Sequence, residues 1–116
     1  MAKNKTYVVT VKQTQGSLET DLFKKMAEKG DITATSAQEM ANAKITIKGM
    51  ADVDVHTDER DFSLTYVDTE EYGLLQASTE SMFIKSINDY KDDTDSFIIK
   101  EIKCKLGKGV KAVPAF

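Results

Sequence analysis

Hydrophobic and polar positions alternate from Asp61 to Tyr66, with Phe62, Leu64 and Tyr66 set against Asp61, Ser63 and Thr65. A period of two marks a strand with one buried face. The polar tetrad Asp68 to Glu71 predicts a turn, and Tyr72 to Ala77 a second strand pairing back as a hairpin. From Ser78 the period changes. Met82, Phe83, Ser86 and Ile87 recur at helical spacing, so a helix is expected over Ser78 to Tyr90. Strand, turn, strand and helix form the centre of the chain.

The flanking segments extend this pattern. Lys5 to Gln13 alternates Tyr7, Val9 and Val11 with Thr6, Val8, Thr10 and Lys12, and its β-branched content predicts a strand. Ser17 to Gly30 reads as a helix, with Ser17 as N-cap, Glu19 and Asp21 in the first turn and Gly30 as the stop. Leu18, Leu22 and Met26 would form its apolar stripe, with Phe23 beside them. Ser36 to Glu39 fits a capping box and opens a second short helix ending near Ala43. Ile45, Ile47 and Gly49 alternate with Lys44, Thr46 and Lys48 in another strand, which can continue through Val53 and Val55. Gly49 in mid-run signals a bulge or a sharp bend. Thr57 to Arg60 is a turn, and Lys91 to Asp95 a charged loop. In the last long strand, Phe97 to Leu106, Ile98, Ile102, Cys104 and Leu106 share one face, with Lys100 intruding. Ile99, Glu101, Lys103 and Lys105 share the other. Gly107 to Gly109 is a turn, Val110 to Val113 a final strand, and Pro114 marks an edge or tail.

Hairpin-length connections call for an antiparallel sheet. A small antiparallel sheet leaves exposed edges unless it curls. The expected fold is therefore mostly β (α+β): a five-stranded antiparallel OB-fold-like barrel with a helix between the third and fourth strands. Extra short helices follow its first strand. An α+β sandwich with helices on one face is the rival. Residues 1–116 form one domain.

Composition narrows the setting. Hydrophobic residues make up 41% and charged residues 30%, which excludes wholesale disorder. The single cysteine, Cys104, rules out an intrachain disulfide framework and points to a reducing, cytoplasmic compartment. The N-terminus lacks the apolar core of a signal peptide, and no run is long enough to span a bilayer. Net charge is −3, unevenly spread. Met1 to Met50 carries eight lysines against five acids, and Ala51 to Asp95 three basic residues against thirteen acids. Ser96 to Phe116 carries five lysines against one acid. Basic ends enclose an acidic middle.

Catalytic chemistry finds no support. His56 and Cys104 are each alone of their kind, and Asp52, Asp54 and His56 read as a solvated acidic face rather than metal ligands. Cys104 lies in an apolar strand pattern and reads as a core thiol. Gly107-Lys108-Gly109 lacks the spacing of a phosphate loop. The expectation is a non-enzyme with no cofactor and no metal. Binding fits better. Lys103, Lys105, Lys108 and Lys111 decorate the last hairpin, Lys44 and Lys48 the outward face of another strand, and Arg60 a turn. In a small barrel these can line one groove. A single-strand binder needs such a cationic track for phosphates and aromatic rings for bases. Candidate rings are Tyr7, Phe62, Tyr66, Tyr72 and Phe97, with Tyr66 and Tyr72 assigned to DNA binding although Tyr66, like Tyr7, also reads as core with its hydroxyl at the rim. Phe62, Phe97 and Tyr7 read first as core.

The run from Phe62 to Ile87, the charged break and Ser96 to Val110 resemble small single-stranded DNA-binding proteins of bacteriophages and mobile elements of low-GC Gram-positive bacteria. The nearest likeness is to the OB-fold binder of lactococcal phages. It covers roughly the C-terminal half. It rests on Glu71-Tyr72-Gly73-Leu74, the Ser/Thr-rich helix start and the lysine-bearing terminal hairpin. The resemblance implies an OB-fold, sequence-independent binding of single-stranded DNA, and a homodimer or higher oligomer. It also implies a role in phage DNA replication or recombination in the host cytoplasm, alongside phage or host replication and recombination proteins. The chain ends Val113-Pro114-Ala115-Phe116 without the acidic tail of bacterial single-strand binders. The alternative is a phage structural or host-interaction protein whose acidic middle faces a basic protein partner.

Overall fold

Strand β3 (Lys44–Thr57) organises the computed structural model, which describes residues 7–104 and 107–115. On one side its length from Gly49 to Thr57 pairs with β1 (Tyr7–Gly16); on the other, from Ile47 to His56, it pairs with β4 (Asp61–Thr69). Its first three residues, Lys44 to Thr46, pair instead with β6 (Ser96–Cys104). Strand β4 continues into β5 (Gly73–Ser78), and β6 into β7 (Gly107–Pro114). One strand thus serves two sheets, and it bends where it changes partners. The register against β4 shifts between Ile47 and Gly49.

Gly49 makes the bend possible. It lies opposite Gly16, where β1 turns away at φ 61°. A Cβ on Gly49 would stand 2.6 Å from Ser17 N and 2.7 Å from Gln15 O. Those are backbone atoms, so the clash cannot relax by a rotamer change. Gly49→Ala is therefore expected to destabilise the fold by about 1–3 kcal/mol, the ordinary cost of overpacking. A chemical-denaturation midpoint unchanged from wild type would contradict that account of the bend.

The strand order is β2-β5-β4-β3-β6-β7, with β1 attached to β3. Strand β2 (Thr35–Ser36) pairs parallel with β5, and every other pairing is antiparallel. The sheet has seven strands, not five, and it curls without closing, because β2 and β7 stand at opposite ends of that order. Helix α1 (Asp21–Lys29) follows the first strand, and helix α2 (Met82–Tyr90) lies between the fifth and sixth rather than the third and fourth. The two-residue parallel pair also departs from the all-antiparallel expectation.

Two apolar clusters hold the sheet. Inside the curl, Ile45, Met50, Val67, Leu75, Phe97 and Ile99 meet Phe83, Ile84 and Ile87 of α2. Ser86 of α2 sits beside the open edge of β7: its hydroxyl accepts the Ala112 N–H at 2.9 Å and donates to α2 carbonyls. An otherwise orphaned edge donor is thereby satisfied. Outside the curl, Leu18, Phe23 and Ala27 cover Ala51 together with Val11, Tyr66 and Leu74.

Helix α1 starts later than its sequence suggests. Thr20 is the cap, accepting from Phe23 N at 3.0 Å, while Ser17 donates to Asp68 Oδ2 at 2.7 Å. The later start turns Phe23 and Ala27 inward and leaves Leu22 exposed. Gly30 ends the helix in the left-handed conformation at φ 77°. The second short helix is reduced to a 3₁₀ turn, Ala37–Met40, opened by Ser36. Among the described residues no helix is long and apolar enough to cross a membrane.

Candidate nucleic-acid interface

Parity along β6 decides which lysines share a surface. Phe97 and Ile99 are fully buried and point into the curl. Ile98, Lys100 and Ile102 therefore face outward. This reverses the expected apolar face, on which Ile98 and Ile102 led and Lys100 intruded. Register carries the outward face across the neighbouring strands. Ile98 lies between Lys44 of β3 and Val113 of β7, Lys100 lies opposite Lys111, and Ile102 opposite Gly109. Ile98, Ile102 and Val113 are half-buried; Lys44, Lys100 and Lys111 are exposed. The surface is an aliphatic strip studded with three cations.

Lys103 pairs in register with Lys108, on the opposite face from Lys111. Lys103 and Lys111, both expected to line one groove, therefore stand on opposite faces of the hairpin. Lys105 and the Lys108 side chain lie outside the described residues. One like-charged pair, Lys100–Lys111, stands directly opposite across the hairpin. Such a pair is destabilising unless something anionic joins it. Among the described residues, none of Lys44, Lys100, Lys103 or Lys111 makes an ion pair.

Tyr72 lies beside the same surface. The turn that carries it is fastened to β3 by Glu71, whose carboxylate accepts from Thr46 N at 2.7 Å and from the Thr46 hydroxyl at 2.8 Å. Thr46 is two residues from Lys44 on the same face. The Tyr72 ring is 48% exposed, open enough to take a flat partner. Gly73, at φ 71°, has nothing within 4 Å of where a side chain would project, so the approach is clear.

Hydrogen bonding from the Thr46 N–H holds the Glu71 carboxyl below its ordinary value; burial opposes this, while the Thr46 hydroxyl and Lys44 reinforce it. A depressed carboxyl stabilises the fold above its unfolded value, and this is lost as pH falls through the folded one. The Thr46 amide is accordingly expected to titrate with a midpoint below that of a free glutamate. Glu71→Gln should abolish the transition. NMR titration checks this, and a midpoint at or above the ordinary value would refute it.

Other expected site residues lie elsewhere. Lys48 is 3.8 Å from Asp68 and engaged in that ion pair. Arg60 is at the far end of β3, on the order of 40 Å along an unbent strand of that length. Its guanidinium lies 5.2 Å over the Phe62 ring. Tyr66 is spoken for by Phe23, ring centres 5.9 Å apart and edge-on, beneath α1. Phe97 is fully buried. The Tyr7 and Cys104 side chains lie outside the described residues.

The β3–β4 hairpin has the opposite character. Asp52 accepts from Thr65 and Asp54 from Ser63, each at 2.7 Å. The Ser63 hydroxyl is the chief reason the Asp54 carboxyl is lowered, with Lys12 at 3.5 Å adding to it. His56 Nδ1 is 3.2 Å from Asp61. These carboxylates are tied into the sheet, and among the described residues no cluster of three or more potential ligands gathers to hold a metal.

Lys100 is the residue that sequence reasoning missed. Three consecutive apolar residues, Phe97 to Ile99, hid its face, and only the burial of Phe97 and Ile99 with the register places Lys100 beside Lys111. No family model matches the chain, and no curated protein and no solved structure matches it either.

Proposed function

We propose that the protein binds single-stranded DNA without sequence preference, on the outward face of β3, β6 and β7. The observation that carries this reading is the set of exposed lysines, Lys44, Lys100 and Lys111, spaced along one aliphatic strip and, among the described residues, in no ion pair. A polyanion lying across the strip would neutralise them, and release of its counterions would drive association. Tyr72 supplies a stacking ring at the border. The order of elements also favours the reading. Strands β3 to β7, with α2 between the third and fourth of those five and β3 paired to both β4 and β6, follow an OB-fold plan. In that plan α1 covers the face of strands β4 and β5 that such folds commonly use. The strand would then lie on the neighbouring face. Service in phage replication or recombination follows from the sequence resemblance.

Fluorescence anisotropy with labelled oligo-dT tests the proposal. Binding should be sub-micromolar at low salt, weaken linearly on a logarithmic salt axis and be much poorer for duplex. No binding at low salt would end it.

A further inference from the structure

The opening between β5 and β7 contains a cavity of about 320 Å³. Its walls are mainly apolar and include Ala77 and Ser78 of β5, Met82 and Phe83 of α2, Ile102 of β6 and Val110 of β7. Ligand sites begin near this size, at about 300 Å³, which suits a single small ring system. The Ile102–Gly109 pair borders it, two residues along the hairpin from Lys100–Lys111, while Phe83 and Val110 of the inner cluster form its inner side, so a base would reach it past the edge of β7. Successive rows on one face are two residues apart, roughly 6–7 Å. A nucleotide spans such a distance between its phosphate and its base.

We propose that this cavity accepts one unstacked nucleobase of a strand whose phosphates lie on Lys100 and Lys111, an inference that rests on the nucleic-acid reading above. The chemistry of the walls fits a base. Phe83 and Val110 offer carbon to its faces. Met82, 52% exposed, brings a polarizable thioether toward a ring. The Ser78 hydroxyl accepts the Glu80 N–H and, donating to no partner among the described residues, can donate to a base edge. Lys100 and Lys111, which make no ion pair among the described residues, favour an anionic ligand over a neutral apolar one.

The test uses oligo-dT carrying a single 2-aminopurine, whose emission is quenched by stacking on its neighbours. Wild-type protein should brighten it several-fold on binding. Ala77→Phe, which fills the cavity, should remove the brightening. Anisotropy should then still report strand binding, weakened about tenfold by the loss of one base contact. Gln38→Trp, at an exposed position on the cavity wall, gives a second blocking variant should Ala77→Phe fail to fold by circular dichroism. If the strand binds but no brightening occurs, or brightening survives blockage, the cavity is not a base site and the DNA-binding reading stands. If no strand binds wild type at low salt, both proposals fall.

Discussion

Replacing Lys44, Lys100 and Lys111 together with glutamate is expected to abolish measurable oligo-dT binding at about 0.1 M salt, where charges remain in contact over roughly 10 Å. Each lost phosphate contact lowers the salt slope by about 0.7 for a single strand, so the matching triple alanine variant should lose about 2 units of slope. The fold should survive. All three side chains are exposed, and the Lys100–Lys111 pair exchanges one like-charge repulsion for another. A control separates location from net charge. Lys24, Lys25 and Lys29 are exposed on or beside the outer surface of α1, and their triple glutamate variant changes net charge equally. It should weaken binding only a few-fold. Equal losses from the two triples would mean that overall charge, not this face, draws the DNA.

Phe97→Ala should remove about 3–5 kcal/mol of stability, the usual cost of emptying a buried phenylalanine site. Phe97 is completely buried, opposite Ile45 on β3 and Pro114 on β7. It sits where β3 changes partners, so neighbouring strands cannot close on the void without moving the bend. A domain of this size has about 5–15 kcal/mol in all, which leaves the variant marginal. Leu22→Ala is the informative contrast. The sequence pattern put Leu22 on the buried stripe of α1, yet it is 67% exposed. Its replacement should shift the urea midpoint barely at all. A Leu22 effect as large as that of Phe97 would overturn the assignment of faces on α1.

That contrast shows where the sequence is legible. Strict alternation located β4, and Met82, Phe83 and Ile87 located α2, because each pattern extends over a full element. Gly49 announced its bend because no other residue fits against the backbone there. Phase was harder. Ser17, Thr20 and Ser36 are all competent caps, and only the tertiary bond from Ser17 to Asp68 decides that Thr20 starts α1. On β6, Phe97, Ile98 and Ile99 are consecutive apolar residues, so alternation alone gives no face. Burial against α2 breaks the tie and moves Lys100 outward. The opening between β5 and β7 was not legible. It depends on the 3₁₀ turn and α2 standing where another strand pairing would close the curl.

Mapping the DNA on the protein tests the central claim most directly. Isotope-labelled protein titrated with oligo-dT should show its largest amide shifts at Lys44, Ile98, Lys100, Gly109 and Lys111, with the β3–β4 hairpin from Asp52 to Asp61 undisturbed. Shifts centred on that acidic hairpin or on α1, or none at all, would contradict the account.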